Sequence, residues 1–153
     1  MPRIWVDADA TPRAVKEMLY RAASRTAVEV VFVANQHLSL PKTPQLSLVV
    51  VGKGFDVADE YIADMVEPGD LVITQDIPLA AACVEKGATA LENRGEVIDE
   101  TNAQARLQMR DFMESMRLAG DEQLGGPKAF SDKDKHRFAG ALDRWLAGMG
   151  SRS

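Results

Sequence analysis

"GDLVITQDIPLAAACVEKG", residues 69–87, contains a complete strand-to-helix unit. Leu71–Thr74 is the most apolar run in the chain, of strand length, and a Pro-Gly-Asp turn precedes it. Ile77-Pro78 opens a helix, because proline is pre-set for a first turn, and Gly87 closes it. The strand shows no polar–apolar alternation. Strands of that kind are buried on both faces, as in a parallel sheet covered by helices.

The same alternation extends in both directions from this unit. "RIWV" (3–6), "VEVVFVA" (28–34) and "LSLVVV" (46–51) read as strands, and "ATAL" (88–91) as a weaker fifth. Pro12 sits where a helix begins, with Val15, Met18, Leu19 and Ala22 at helical spacing. "NQHLSLPKTPQ" (35–45) has two prolines and no helical period, and reads as loop. A helix from about Asp56 to Val66 turns Val57, Tyr61, Ile62 and Met65 inward.

From residue 101 the character changes. Thr101 with Gln104 forms a capping-box pattern for a long helix whose Ala105, Met109, Phe112 and Met116 make one apolar face. After a Gly-rich loop, Ser131 caps a last helix that buries Phe138, Leu142, Trp145 and Leu146. The expected fold is α/β. It is a three-layer sandwich with a mostly parallel sheet of about five strands, plus two C-terminal helices. One domain spans 1–153, with an α/β core at 1–95 and a helical part at 96–150.

Composition sets outer limits. The chain is 46% apolar and 27% charged, ordinary for a globular protein, and its net charge of −5 argues against a broadly basic nucleic-acid coat. It shows no charged-apolar leader and no apolar run of about 18 residues, so the expectation is a cytoplasmic protein without a membrane segment. The single cysteine, Cys83, lies in an apolar run and reads as a buried small residue. Oligomeric state stays open.

Function is argued from the strand ends, because parallel sheets form sites beyond the carboxyl ends of their strands. The first strand delivers Asp7 and Asp9, the second Asn35, the third Lys53, Asp56 and then Asp59, and the fourth Thr74 and Asp76. Oxygen-only ligands suit Mg²⁺ or Mn²⁺, whereas zinc favours Cys and His. Asp also collects at helix caps in any α/β protein. Asp9 or Thr11 could cap the first helix, and Asp56 or Asp76 the helices that follow. Asp7 comes too early to cap a helix starting near Pro12.

Other features carry less. "GKGFD" permits a sharp turn but lacks the spacing of a phosphate-binding loop. Arg106, Arg110 and Arg117 share one stripe of the long helix, either a solvated face or a phosphate contact, and Lys128 follows "GGP". His37 reads as an exposed loop residue.

Together "IWVDADATP", "VANQ", "GFDVAD", "GDLVITQDIPLA", "MRDFM" and "GGP" resemble the YaiI/YqxD family of bacterial proteins, from Ile4 to about Trp145. That family is grouped with the PIN-like superfamily of metal-dependent nucleases. The resemblance implies a first strand-end acid at Asp7, a T-x-D pair at Thr74 and Asp76, and a middle acid at Asp56 or Asp59. Asp9 is then an additional acid. The family pattern has Cys where this chain has Thr11, so thiol chemistry there is not available to it.

The leading expectation is a phosphodiesterase on nucleic acid, RNA ahead of DNA. Asp7, Asp56, Asp59 and Asp76 would hold one or two Mg²⁺ or Mn²⁺ ions, with Asp9 and Thr74 assisting the chemistry. Asn35, Lys53, Arg110, Arg117 and Lys128 are the candidate substrate contacts. The alternative is a haloacid-dehalogenase-like phosphatase, because "DADAT" also fits its D-x-D-x-T motif with Asp7 as nucleophile. Against it stand Pro12, which leaves no room for a flap, and "GFDVAD", which precedes Thr74 instead of following it. A non-catalytic nucleotide or nucleic-acid binding module is the third class.

Overall fold

The computed structural model describes residues 2–54, 56–120 and 129–150. Strand β1 (Arg3–Asp7) leads through a short 3-10 turn (Ala8–Ala10) to helix α1 (Arg13–Thr26). Then follow β2 (Glu29–Ala34), β3 (Leu46–Val50), α2 (Val57–Met65), β4 (Leu71–Ile73), α3 (Ile77–Glu85) and β5 (Thr89–Leu91). A two-residue strand, β6 (Val97–Ile98), precedes the long helices α4 (Ala103–Leu118) and α5 (Asp132–Gly150).

The sheet order is β3-β2-β1-β4-β5-β6. The first five strands in chain order run parallel, and β6 pairs antiparallel with β5. The sixth strand goes beyond the five expected, because two residues are too few to show a period. Strand order reverses beside β1: the chain steps outward to β2 and β3, then returns to β4 on the other side. That reversal opens a crevice between the carboxyl ends of β1 and β4.

Alternate residues of each strand feed opposite faces. Ile4, Val6, Val30, Phe32, Leu71 and Ile73 meet Val15 and Leu19 of α1 and Phe138, Leu142 and Trp145 of α5. Trp5, Val31, Val33 and Val72 meet Ile62 of α2 and Leu79 and Cys83 of α3. Burial pushes the Cys83 thiol up to about 12. A third cluster joins Ala80, Ala81, Ala90 and Ile98 to Ala103 of α4. The result is helices on both faces of one mixed, mostly parallel sheet.

Four local expectations change. Met65 is 44% exposed, because the buried stripe of α2 runs through Ala58 and Ile62 to Val66. The capping box at Thr101 and Gln104 is not formed: Asp99 Oδ1 accepts from the Thr101 amide and hydroxyl, so the cap shifts to Asn102. The apolar face of α4 points to solvent, with Met109 and Phe112 both 59% exposed. The apolar residues of that helix that pack with α3 and its neighbours are Ala103 and Leu107, on the opposite side of the helix. Neither Asp9 nor Thr11 caps α1: Pro12 occupies that position, and Thr11 Oγ1 donates to the Asp7 carbonyl at 2.8 Å.

Ser131 does cap α5, reciprocally with Asp134. The Ser131 amide donates to Asp134 Oδ2 (3.0 Å) and the Asp134 amide to Ser131 Oγ (3.2 Å). Arg94 donates to the same Asp134 carboxylate at 2.6 Å, tying the β5–β6 turn to the helix start. Asp70, from the turn before β4, is buried, yet its oxygens are satisfied by the amides of Arg3 and Glu67 and by Trp5 Nε1, each at 2.9 Å. It locks the amino ends of β1 and β4 together, opposite the crevice. No helix among the described residues is long and apolar enough to cross a membrane.

Candidate functional site

The crevice at the strand-order reversal is a cleft of about 410 Å³. Asp7, Asp9, Asn35, Asp56, Asp59 and Asp76 line it, with Gly54 and Gln75 at its edges. The acids reach it from three strand-to-helix junctions. Asp7 ends β1 and pairs in register with Val33 of β2. Asp76 follows β4 and caps α3, accepting from the Leu79 amide at 2.9 Å. Asp59 lies in the first turn of α2.

Asp56 precedes α2 with a left-handed backbone (φ 66°) and no side-chain cap bond. A non-glycine residue in that region carries strain of about 1 kcal/mol or more, and such strain concentrates at functional sites. The Asp56 carboxylate makes no bond to the α2 amides and lies beside the other acids. Carboxylate oxygens of Asp56, Asp59 and Asp76 all lie within 4.8 Å of one another.

Hydrogen bonds fix the rest. Thr74 is buried, donates to Asp7 Oδ2 at 3.2 Å and accepts from the Asp76 amide at 3.0 Å. One hydroxyl therefore positions both strand-end acids. Asp9 Oδ2 accepts from the Asn35 amide at 2.8 Å, tying the end of β1 to the end of β2. Asn93 Nδ2 donates to the Ala10 carbonyl (3.0 Å) and its amide to Gln75 Oε1 (2.6 Å), bracing the loops that carry Asp9 and Asp76. The Asn35 side-chain oxygen is buried and has no hydrogen-bond partner in the structure.

These acids strain one another electrostatically. Burial pushes the Asp7 carboxyl above its usual range, the Thr74 hydrogen bond works against this, and Asp76 and Asp9 add to the rise. Asp59 is pushed up to about 7, first by burial and then by Asp76, Asp7 and Asp56. The consequence for stability has a definite sign. Between about pH 4 and 7 the unfolded Asp59 ionises while the folded one keeps its proton, so the unfolded state gains. The penalty is absent below that window and complete above it. Melting temperature without metal is therefore expected to fall from pH 5 to pH 8, and Asp59→Asn to flatten that fall. The effect is on the order of 1 kcal/mol once solvent screening is allowed for. Thermal melts across that range decide it; a variant that loses stability as steeply as the parent would mean the penalty lies elsewhere.

An oxygen-only donor set under mutual repulsion suits a hard divalent cation. A second cleft of about 340 Å³ shares Asp56, Asp59 and Asp76 with the first and is also lined by Arg110 of α4, the one cation lining either cleft among the described residues. Arg110 also pairs with Asp111 (3.2 Å) and Glu114 (2.9 Å). Arg106 is taken up by Glu92 and Glu96. Lys53 and Arg117 are exposed and line neither cleft. Lys128 lies outside the described residues. Gln75 and Asn93 stand at strand ends in the sequence, but their partners, like those of Asp70, are distant in the chain and carry no sequence signature.

The profile described as "Uncharacterized BCR, YaiI/YqxD family" matches residues 5–148. A UPF0178 protein of Shewanella sp. (strain MR-7) is 58% identical over 144 residues, covering 94% of each chain. UPF0178 proteins of Aeromonas salmonicida and Hahella chejuensis are 57% and 54% identical, covering 94% and 95% of this chain and 95% and 96% of their own. No solved structure matches. The matched span runs from β1 into α5 and takes in every acid of the cleft, and on that breadth the chain belongs to the YaiI/YqxD family.

Proposed function

We propose that this protein is a metal-dependent phosphodiesterase acting on nucleic acid, RNA ahead of DNA, with a PIN-like arrangement of acids. One observation carries the reading: carboxylates from three separate strand-to-helix junctions converge on one cleft, with Asp56 held in a strained backbone to join them. The oxygen donors of Asp56, Asp59 and Asp76, with Asp7 beside them, fit Mg²⁺ or Mn²⁺. Bound there, such an ion offsets phosphate charge and lowers the pKa of a coordinated water.

The chain's own groups do the remainder. Thr74 fixes the orientation of the Asp7 carboxylate. Arg110, which lines the cleft that shares these acids, engages a backbone phosphate. The phosphatase alternative loses support. Pro12 starts α1 without space for a flap, and the acids of α2 precede Thr74 in the chain.

The test uses purified protein, Mn²⁺, single-stranded RNA and an aryl phosphate monoester in heavy-oxygen water. The RNA is expected to shorten with label in the product phosphate, and the monoester to survive. Label in Asp7 after one turnover would transfer the reading to the phosphatase. Mn²⁺ binding without cleavage of either substrate would leave a binding module. Arg110→Ala is expected to weaken RNA binding and lower its salt slope by about one; unchanged binding at low and high salt would remove Arg110 from the substrate path.

A further inference from the structure

The apolar stripe on α4 is the least expected surface of the molecule. Ala105, Met109, Phe112 and Met116 fall within about 60° of arc on the side of the helix away from its contact with α3. Ala105 is exposed, Met109 and Phe112 are each 59% exposed, and Met116 is half-buried. No charged residue lies within the stripe. A run of large apolar side chains in water marks an interaction site.

Two features indicate what covers it. The stripe is spaced four, three and four residues apart, the a/d seam of a two-helix coiled coil, and this order reads the same in both directions. A second α4 laid antiparallel thus sets Met109 against the partner's Phe112 and Ala105 against the partner's Met116, with Phe112 and Met116 answered by the partner's Met109 and the partner's Ala105. The rival cover, the connection between α4 and α5, is poorly suited. Between Gly120 and Ala129 it carries a single large apolar residue, Leu124, among acids and glycines.

We infer that two copies of this chain associate through an antiparallel, two-fold α4–α4 seam. Such a seam is isologous, each copy offering the same patch. A two-fold axis perpendicular to the helices leaves the arginine row of α4 on the same side in both copies. Both acidic clefts, which α4 borders through Arg110, then open along one shared rim. A helix of 16 residues is about 24 Å long, so the seam lies at the small end of specific interfaces and the dimer forms in the micromolar range.

Sedimentation velocity of the full chain from about 1 to 200 μM reads the association. The expected result is a rise from monomer to dimer, abolished by Phe112→Glu with no change in melting temperature, since Phe112 touches no core. Cysteine cross-linking reads the register. The Ala105→Cys/Met116→Cys double variant is expected to form a covalent dimer on oxidation, while Ala105→Cys alone does not, its two copies lying about 16 Å apart along the seam. Cys83 does not compete, being buried. A monomer at every concentration, or a dimer indifferent to Phe112→Glu, overturns the inference. Efficient cross-linking by Ala105→Cys alone overturns the antiparallel seam. A monomer that loses stability with Phe112→Glu assigns the stripe to the chain's own 120–129 connection instead.

Discussion

Asp76→Asn is expected to reduce Mn²⁺-dependent RNA cleavage by two to three orders of magnitude, the scale on which removal of one electrostatic group at a reacting centre is felt. The choice of asparagine separates chemistry from folding. Asp76 Oδ1 accepts from the Leu79 amide to cap α3, and asparagine caps equally well. The substitution therefore leaves the helix intact and removes a charge from the point where the two clefts meet. Two further readouts follow. Asp59 loses the neighbour that contributes most to its raised pKa after burial, so the metal-free protein should be as stable as the parent at pH 8 or more so. The rise in melting temperature on adding Mn²⁺, a direct measure of binding to the folded state, should be largely lost. A variant that keeps both its activity and its Mn²⁺ shift would show that Asp76 serves only as a cap. Asp76→Ala, which also removes the cap, is expected to lose about 1 kcal/mol of stability in addition.

Gly95→Ala is expected to be the most damaging methyl addition at any of the described glycines, at about 3–5 kcal/mol. Gly95 closes the β5–β6 turn with φ +92°, a backbone region that side chains rarely occupy. A Cβ there would lie 2.5 Å from the Arg137 carbonyl carbon, 2.6 Å from Arg137 Cβ and 2.7 Å from the Phe138 amide nitrogen. Two of those three atoms are helix backbone and cannot swing aside. Relief requires α5 to lift off the sheet, taking with it Phe138, which is fully buried in the main core. Gly120→Ala is the control. Gly120 has a similar φ of +85° but nothing within 4 Å of the added methyl, so only the backbone cost of about 1 kcal/mol applies. Urea unfolding of both variants measures the difference. Equal losses would mean that α5 yields without cost and the close approach is unimportant.

The α/β architecture was readable in the sequence because its signals are local. An apolar run such as Leu71–Ile73 is buried on both faces wherever it sits in the sheet, and a proline just inside a helix start acts through its own backbone. Ser131 succeeds as a cap for the same reason: its partner, Asp134, lies within one helical turn. Thr101 and Gln104 fail because Asp99, nearer in the chain, takes the hydroxyl first. The stripe on α4 fails differently. Periodicity identifies an apolar face but not the direction in which it points, and the neighbours that set the direction are in α3.

The candidate site divides along the same line. The sequence by itself determined which acids stand at strand ends, since strand length and the following turn place Asp7, Asp56 and Asp76 without reference to the rest of the chain. Only the tertiary structure decided that they meet. Asp7 and Asp76 are neighbours because β4 returns to pair with β1, and a pairing across 67 residues leaves no periodic trace. The same is true of Asp70, whose hydrogen bonds from Arg3 and Trp5 join the amino ends of β1 and β4, at the end of the sheet opposite the crevice. Strand order, which fixes both, depends on the packing of two faces at once, and no single segment of the chain contains that information.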